Sequence, residues 1–217
     1  MNMNMFEQFA SPELISIPTI FLSILIPATM IHNNPKLLGN RMTTATSWFM
    51  KTIMLNMINH LTLKGQKWCH ILISLLLFIL ISNLISLLPY TFTTTSQLSM
   101  NMALAVPLWL ATITTGMMKK PHNTLAHLLP EGSPTPLIPF MVMIETISLL
   151  MRPLALGVRL TANITAGHLL ITMVSSASFN LINTHIMLSM LSATLLLMLT
   201  MLELAVACIQ AYVFVLL

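Results

Sequence analysis

Residues 71–88 read ILISLLLFILISNLISLL, a run without one charged side chain that stops at Pro89. At 1.5 Å per residue such a run is close to the about 20 residues a helix needs to cross a hydrocarbon core of about 30 Å. The composition of the whole chain agrees: of its 217 residues, 56% are hydrophobic and only 6% are charged. A soluble domain carries about 25% charged residues, because its surface has to face water. A surface this poor in charge needs lipid as its solvent.

Upstream of this run, residues 14–31 form another apolar stretch, bent by Pro18 and Pro27. The segment 32–69 differs in character. It gathers Lys36, Arg41, Lys51, Lys64 and Lys67, and between them Trp48, Phe49, Ile53, Met54, Met57, Ile58 and Leu61 recur at near-helical spacing. That pattern predicts an amphipathic helix lying on the membrane surface. Downstream, the uncharged TFTTTSQLS loop leads to a third run at 100–118, and Lys119, Lys120 and the proline-rich HLLPEGSPTPLIP form the next loop. Two long apolar stretches, 137–179 and 186–217, close the chain. Unbroken helices over them would measure about 65 Å and about 48 Å, against a core of about 30 Å. Pro153, Gly157 and the SSAS at 175–178 permit breaks, but no polar loop interrupts either stretch. Steeply tilted, gently kinked helices are therefore expected. The expected fold is an all-α integral membrane protein: a single membrane domain over 1–217, with about five crossing helices and one amphipathic surface helix.

Charge placement supplies an orientation. Outside the fourth span every Lys and Arg falls within 36–67 or 119–120, and the N-terminal segment, the 89–100 loop and the 180–186 turn carry none. With five crossings, the positive-inside rule puts both basic segments and the C-terminus inside and the N-terminus outside. The net charge of +4 rests on so few ions that it implies no nucleic-acid partner. The opening MNMNMFEQFASPEL has no Lys or Arg. It thus resembles neither a secretory signal, with its basic n-region, nor an Arg-rich transit peptide. A very apolar chain with 20 Met fits a gene translated inside an organelle. Cys69 and Cys208 are too few and too distant for a disulfide framework or a metal knuckle, and are expected as two buried thiols. No internal repeat suggests the inverted symmetry of secondary transporters.

Ionisable residues within the last two spans carry the chemistry: Glu145, Arg152, Arg159 and Glu203, with His168 beside them. A mid-span arginine costs at least about 2.5–3.5 kcal/mol, so such residues mark ion pathways by default. A buried ion pair pinning two helices is the plainer reading, but apolar repacking is often no worse for stability. A helical residue advances about 100°, so a spacing of seven returns to within about 20° of the same face. Glu145, Arg152 and Arg159 are spaced by sevens and Asn163 lies four beyond, which gives one polar stripe. His168 lies about 140° away from it. Glu203 and Gln210 on the last span are again seven apart. A Glu and a His facing each other pass protons readily, since His titrates near neutrality and desolvation pushes a Glu towards it. Ala155, Gly157, Ala162, Ala166 and Gly167 crowd around the arginine. Small residues permit close helix contact, either within this chain or with an external partner.

The run PLALGVRLTANITAGHLL (153–170), preceded by ETISLL (145–150) and followed by LELAVACIQAYVF (202–214), closely resembles subunit a of F-type ATP synthases in its mitochondrially encoded form. The resemblance covers essentially the whole chain, including PTPLIP and NLISLLPYTFTTTSQLS. It implies a proton-translocating stator protein in the mitochondrial inner membrane, N-terminus in the intermembrane space and C-terminus towards the matrix. Such a protein is pressed against a rotating c-ring between two offset half-channels and accompanied by peripheral-stalk and other small membrane-sector subunits. It couples proton flow to ATP synthesis, has no substrate besides protons, no cofactor and no metal, and leaves nucleotide chemistry to other subunits. Arg159 matches the family's essential arginine, Glu203 and His168 its intermembrane-side pair, and Glu145 an acid on the matrix-side path. Asn163 and Gln210 match polar residues near the arginine. Arg152 departs from the neutral residue expected there, and its implied role is pairing with headgroups or with Glu145. The family's short polar tail has no counterpart after Leu217. Two other readings of the embedded charges are a proton-coupled solute carrier, which the absent repeat disfavours, and a purely structural anchor, which the arginine stripe disfavours.

Overall fold

A computed structural model of the chain describes residues 9–14, 17–31, 40–60, 68–88, 91–119, 121–126, 128, 137–182 and 186–216. Lys36, Lys64, Lys67, Lys120, Leu61, Pro89 and most of the proline-rich loop lie outside these residues, as do the side chains of Met57 and Ile58. The fold is all-α apart from one antiparallel pair of two-residue strands, β1 (Glu13–Leu14) and β2 (Ile17–Pro18), with Glu13 opposite Pro18. Among the described residues seven α-helices follow, with a short 3-10 turn at Thr94–Ser96 between the third and fourth: α1 (Thr19–Ile31), α2 (Arg41–His60), α3 (Cys69–Ser86), α4 (Leu98–Lys119), α5 (Pro121–Ala126), α6 (Ile138–Ile182) and α7 (Ile186–Leu216). Of the described helices, α3, α4, α6 and α7 are long and apolar enough to cross a membrane, and α1 is a shorter apolar helix.

Two expectations need correction. The first apolar run becomes helical only at Thr19, because Pro18 disfavours the α conformation for the residue before it and the chain pairs as strands up to that point. The loop after Lys119 contains a further helical turn, α5, which starts at Pro121, where a missing N–H does no harm. The two terminal stretches run unbroken. Helix α6 has 45 residues and α7 has 31, and Pro153 sits inside α6 without ending it. The serines that permitted a break are absorbed by the helix itself. Ser175, Ser176 and Ser178 donate to the carbonyls of Thr172, Met173 and Ser175 at 2.9, 2.8 and 2.7 Å. A hydroxyl that bonds its own helix leaves no polar group seeking a loop.

The chain divides into two compact units, one of Met1–Thr95 with Ile164–Leu217 and one of Ser96–Asn163. In the first, α3 is the central element and packs against α1, α2 and α7. Cys69, Ile73, Leu76 and Leu77 of α3 and Val215 of α7 form its core, with Met50, Ile53 and Met54 of α2 against them. Those three residues of α2 sit at i, i+3 and i+4, whereas Trp48, Phe49 and Leu55 are exposed. The described apolar residues of α2 therefore lie on two faces, one against α3 and one exposed. Along α7, Ala207 and Ala211 are buried, and Ala211 has no exposed surface. Their small side chains let Asn83 of α3 reach the α7 backbone, where its Nδ2 donates to the Ala207 carbonyl at 3.4 Å. Cys69 is buried as expected, but Cys208 is exposed, because the residue before it already faces the α3 seam and the helix turns it about 100° outward.

The second unit holds α4, α5 and the first part of α6. Asn101 and Ala105 of α4 are buried, and Gly157 of α6 lies against Met102, whose amide nitrogen would be 3.8 Å from a Cβ added there. Thr124 of α5 returns to α4, its Oγ1 donating to the Met117 sulfur at 3.4 Å.

Candidate functional site

Unbroken helix over residues 145–163 preserves the polar stripe, since any loop there would have lost the sevenfold phase. Within the second unit, Pro153, Gly157, Leu160 and Thr161 are buried and mark the inward side of α6. Thr161 donates its hydroxyl to the helix itself, to the Val158 carbonyl at 2.9 Å and the Gly157 carbonyl at 3.2 Å. Arg152 and Arg159 are exposed on the opposite side, with Ala155 and Ala162 exposed between and beyond them. Glu145 and Asn163 are half-buried. Of the small residues, Gly157 packs within the chain against Met102, while Ala155 and Ala162 are exposed beside the arginines. No ion pair joins Arg152 to Glu145 among the described residues.

The other candidate residues lie in the first unit. His168, Glu203 and Gln210 are half-buried. The Glu203 side chain reaches the backbone of α6 at Gly167, where a Cβ would stand 2.8 Å from its Cδ. Glu203 is thereby brought against the residue adjacent to His168. Both carboxylate oxygens are buried and have no hydrogen-bond partner among the described residues, so no bond to the imidazole is formed. Among the described residues no cluster of His, Cys, Asp or Glu could hold a metal ion.

One polar residue of this region escaped the reading of the sequence. Asn83 is only 1% exposed, and its Oδ1 is buried with no partner among the described residues. Its signal was visible as the single amide in the run 71–88, but only the fold shows that it faces the α7 backbone one turn beyond Glu203.

Comparison with known proteins gives a consistent result. The profile of the family described as ATP synthase A chain matches residues 14–217. The chain is 73% identical over 217 residues to "ATP synthase F(0) complex subunit a" of Lycodon semicarinatus, covering 100% of this chain and 96% of that protein. It is 58% identical over 218 residues to the protein of that name from Struthio camelus, and 50% identical over 218 residues to that from Scyliorhinus canicula. Both alignments cover 100% of this chain and 96% of the relative.

Proposed function

The chain belongs to the ATP synthase A chain family, matched from residue 14 to residue 217, and from that premise we propose that it is the proton-translocating stator subunit of a rotary ATP synthase. It spans the mitochondrial inner membrane as one multi-pass domain, N-terminus in the intermembrane space and C-terminus towards the matrix. It forms two half-channels against a rotating c-ring, stands beside peripheral-stalk and other small membrane-sector subunits, and performs no nucleotide chemistry itself.

The observation that carries this reading is the exposure of Arg159 on an alanine-flanked face of an apolar helix. An arginine side chain keeps its positive charge in proteins. Facing lipid at mid-span it would cost at least about 2.5–3.5 kcal/mol. The face therefore needs a protein that packs closely on alanine and brings an anion to the guanidinium. A ring of helices bearing carboxyl groups meets both needs.

The mechanism follows from electrostatics. A proton from outside passes Glu203 and His168 and neutralises a ring carboxylate. The neutral site rotates through lipid, where an ionised one would be costly. After nearly a full turn the ring acid meets Arg159, whose charge favours the carboxylate, and the proton leaves along the path containing Glu145. Asn163 and Gln210 supply polar neighbours on the two helices. The contact of Glu203 with α6 beside His168 supports the relay. The drive is about 2.3 kcal/mol per charge per 100 mV. Arg159→Ala should abolish ATP-driven proton pumping in complexes that still assemble. Wild-type pumping by assembled Arg159→Ala complexes would overturn the reading.

A further inference from the structure

The carboxyl of Glu203 occupies the volume that a side chain at position 167 would fill. A Cβ on Gly167 would stand 2.8 Å from Glu203 Cδ and 3.2 Å from its Cγ, and would overlap Oε1. Non-bonded carbons rest at about 3.5–4.0 Å, so any residue but glycine requires the carboxyl to leave its seat. Nothing else among the described residues holds that group, because neither oxygen has a hydrogen-bond partner. Its location is fixed by packing against a bare stretch of α6 backbone.

We propose that Gly167 is a positioning residue for proton transfer: by lacking a side chain it lets the Glu203 carboxyl lie against α6, one residue from His168. This rests on the reading of Glu203 as a proton carrier. The clash introduced by a methyl falls on the far end of a flexible side chain, so the carboxyl swings to another rotamer while the helices stay in place. The consequence is functional before it is structural. Glycine is an unfavourable residue in a helix interior relative to alanine. Gly167 thus runs against helix propensity, and Gly167→Ala should strengthen α6 locally while displacing the carboxyl.

The test compares assembled complexes in vesicles carrying G167A, E203D, G167A/E203D and G167A/E203A. G167A is expected to assemble and to lose about 10–100-fold in proton flux, the loss that misplacing a reacting group by about 1 Å brings. Aspartate is shorter by one carbon–carbon bond, about 1.5 Å, and its carboxyl clears the new methyl. The double variant G167A/E203D should therefore conduct better than either single variant. Should G167A fail to assemble, G167A/E203A must assemble, since the clashing atoms are gone. Wild-type flux in G167A, no gain in G167A/E203D over the better single variant, or an assembly defect that persists in G167A/E203A would each overturn the proposal. Failure of the underlying reading shows separately: Glu203→Gln in the Gly167 background would then conduct normally.

Discussion

Arg152 and Arg159 share one exposed face of α6, two helical turns apart, yet they should answer differently to substitution. In the proposed orientation Arg152 is nearer than Arg159 to the inner end of the span, where a long side chain can carry its charge to the headgroups. Arg152→Gln is therefore expected to retain ATP synthesis, and a loss as deep as that of Arg159→Ala would reverse the assignment of the two. Glu203 and His168 form the second residue-scale case. Glu203→Gln should slow proton flux strongly, because an amide offers no titratable site. Exchanging the two residues should recover part of the activity, since a relay needs one acid and one base in either order. Normal flux in His168→Leu, or an exchange no better than the worse single variant, would end the relay idea. Glu145, Arg159 and Glu203 stand out in the sequence because embedded charge is costly, and Asn163 and Gln210 because helical spacing puts them on the same faces, whereas the pairing of His168 with Glu203 comes from the family resemblance; the roles of all six are part of the proposal. The seat of Glu203 was not legible: no periodicity in 153–170 or 202–214 says that Gly167 meets that carboxyl, because the contact joins two helices.

At the scale of elements, length and hydropathy were enough to find α3, α4, α6 and α7. What they missed was governed by local chemistry or by packing between elements. Pro18 delayed α1 to Thr19, and Pro121 opened α5 inside an expected loop. The two faces of α2 were hidden because near-helical spacing does not say which apolar residues meet α3 and which meet the surroundings. The α3–α7 seam is likewise a product of packing: Ala207 and Ala211 are buried there and Asn83 crosses to the Ala207 carbonyl. Ala211 has no exposed surface, so Ala211→Leu has to push α3 and α7 apart. Inserting methylenes into a close-packed site destabilises by about 1–3 kcal/mol. A lower thermal denaturation midpoint of the detergent-solubilised complex is expected, and an unchanged midpoint would show that the seam yields without cost.

The whole molecule poses a question of parity. Four described helices are long enough to cross, and α1 with 13 residues spans only about 20 Å at 1.5 Å per residue. Charge placement is self-consistent with five crossings; if α1 does not cross, the uncharged N-terminal segment and the basic α2 share one side. A short helix crosses when the bilayer thins locally or when flanking chain completes the passage. Here β1 and β2 extend the apolar segment ahead of α1, and α1 packs against α3, with Pro27 fully buried. A helix held by a spanning neighbour is drawn into the same layer. The expectation is that single cysteines at Ser11 and Ser99 react with a membrane-impermeant maleimide added from the intermembrane side. A cysteine at Thr43, which is exposed on α2, should react only in inverted vesicles. The background would carry Cys208→Ser, since that thiol is exposed, while Cys69 is buried and can stay. Labelling of Ser11→Cys together with Thr43→Cys and opposite to Ser99→Cys would mean four crossings, with α1 lying in one leaflet. Labelling of Ser11→Cys and Ser99→Cys on the matrix side, opposite to Thr43→Cys, would keep five crossings but invert the orientation.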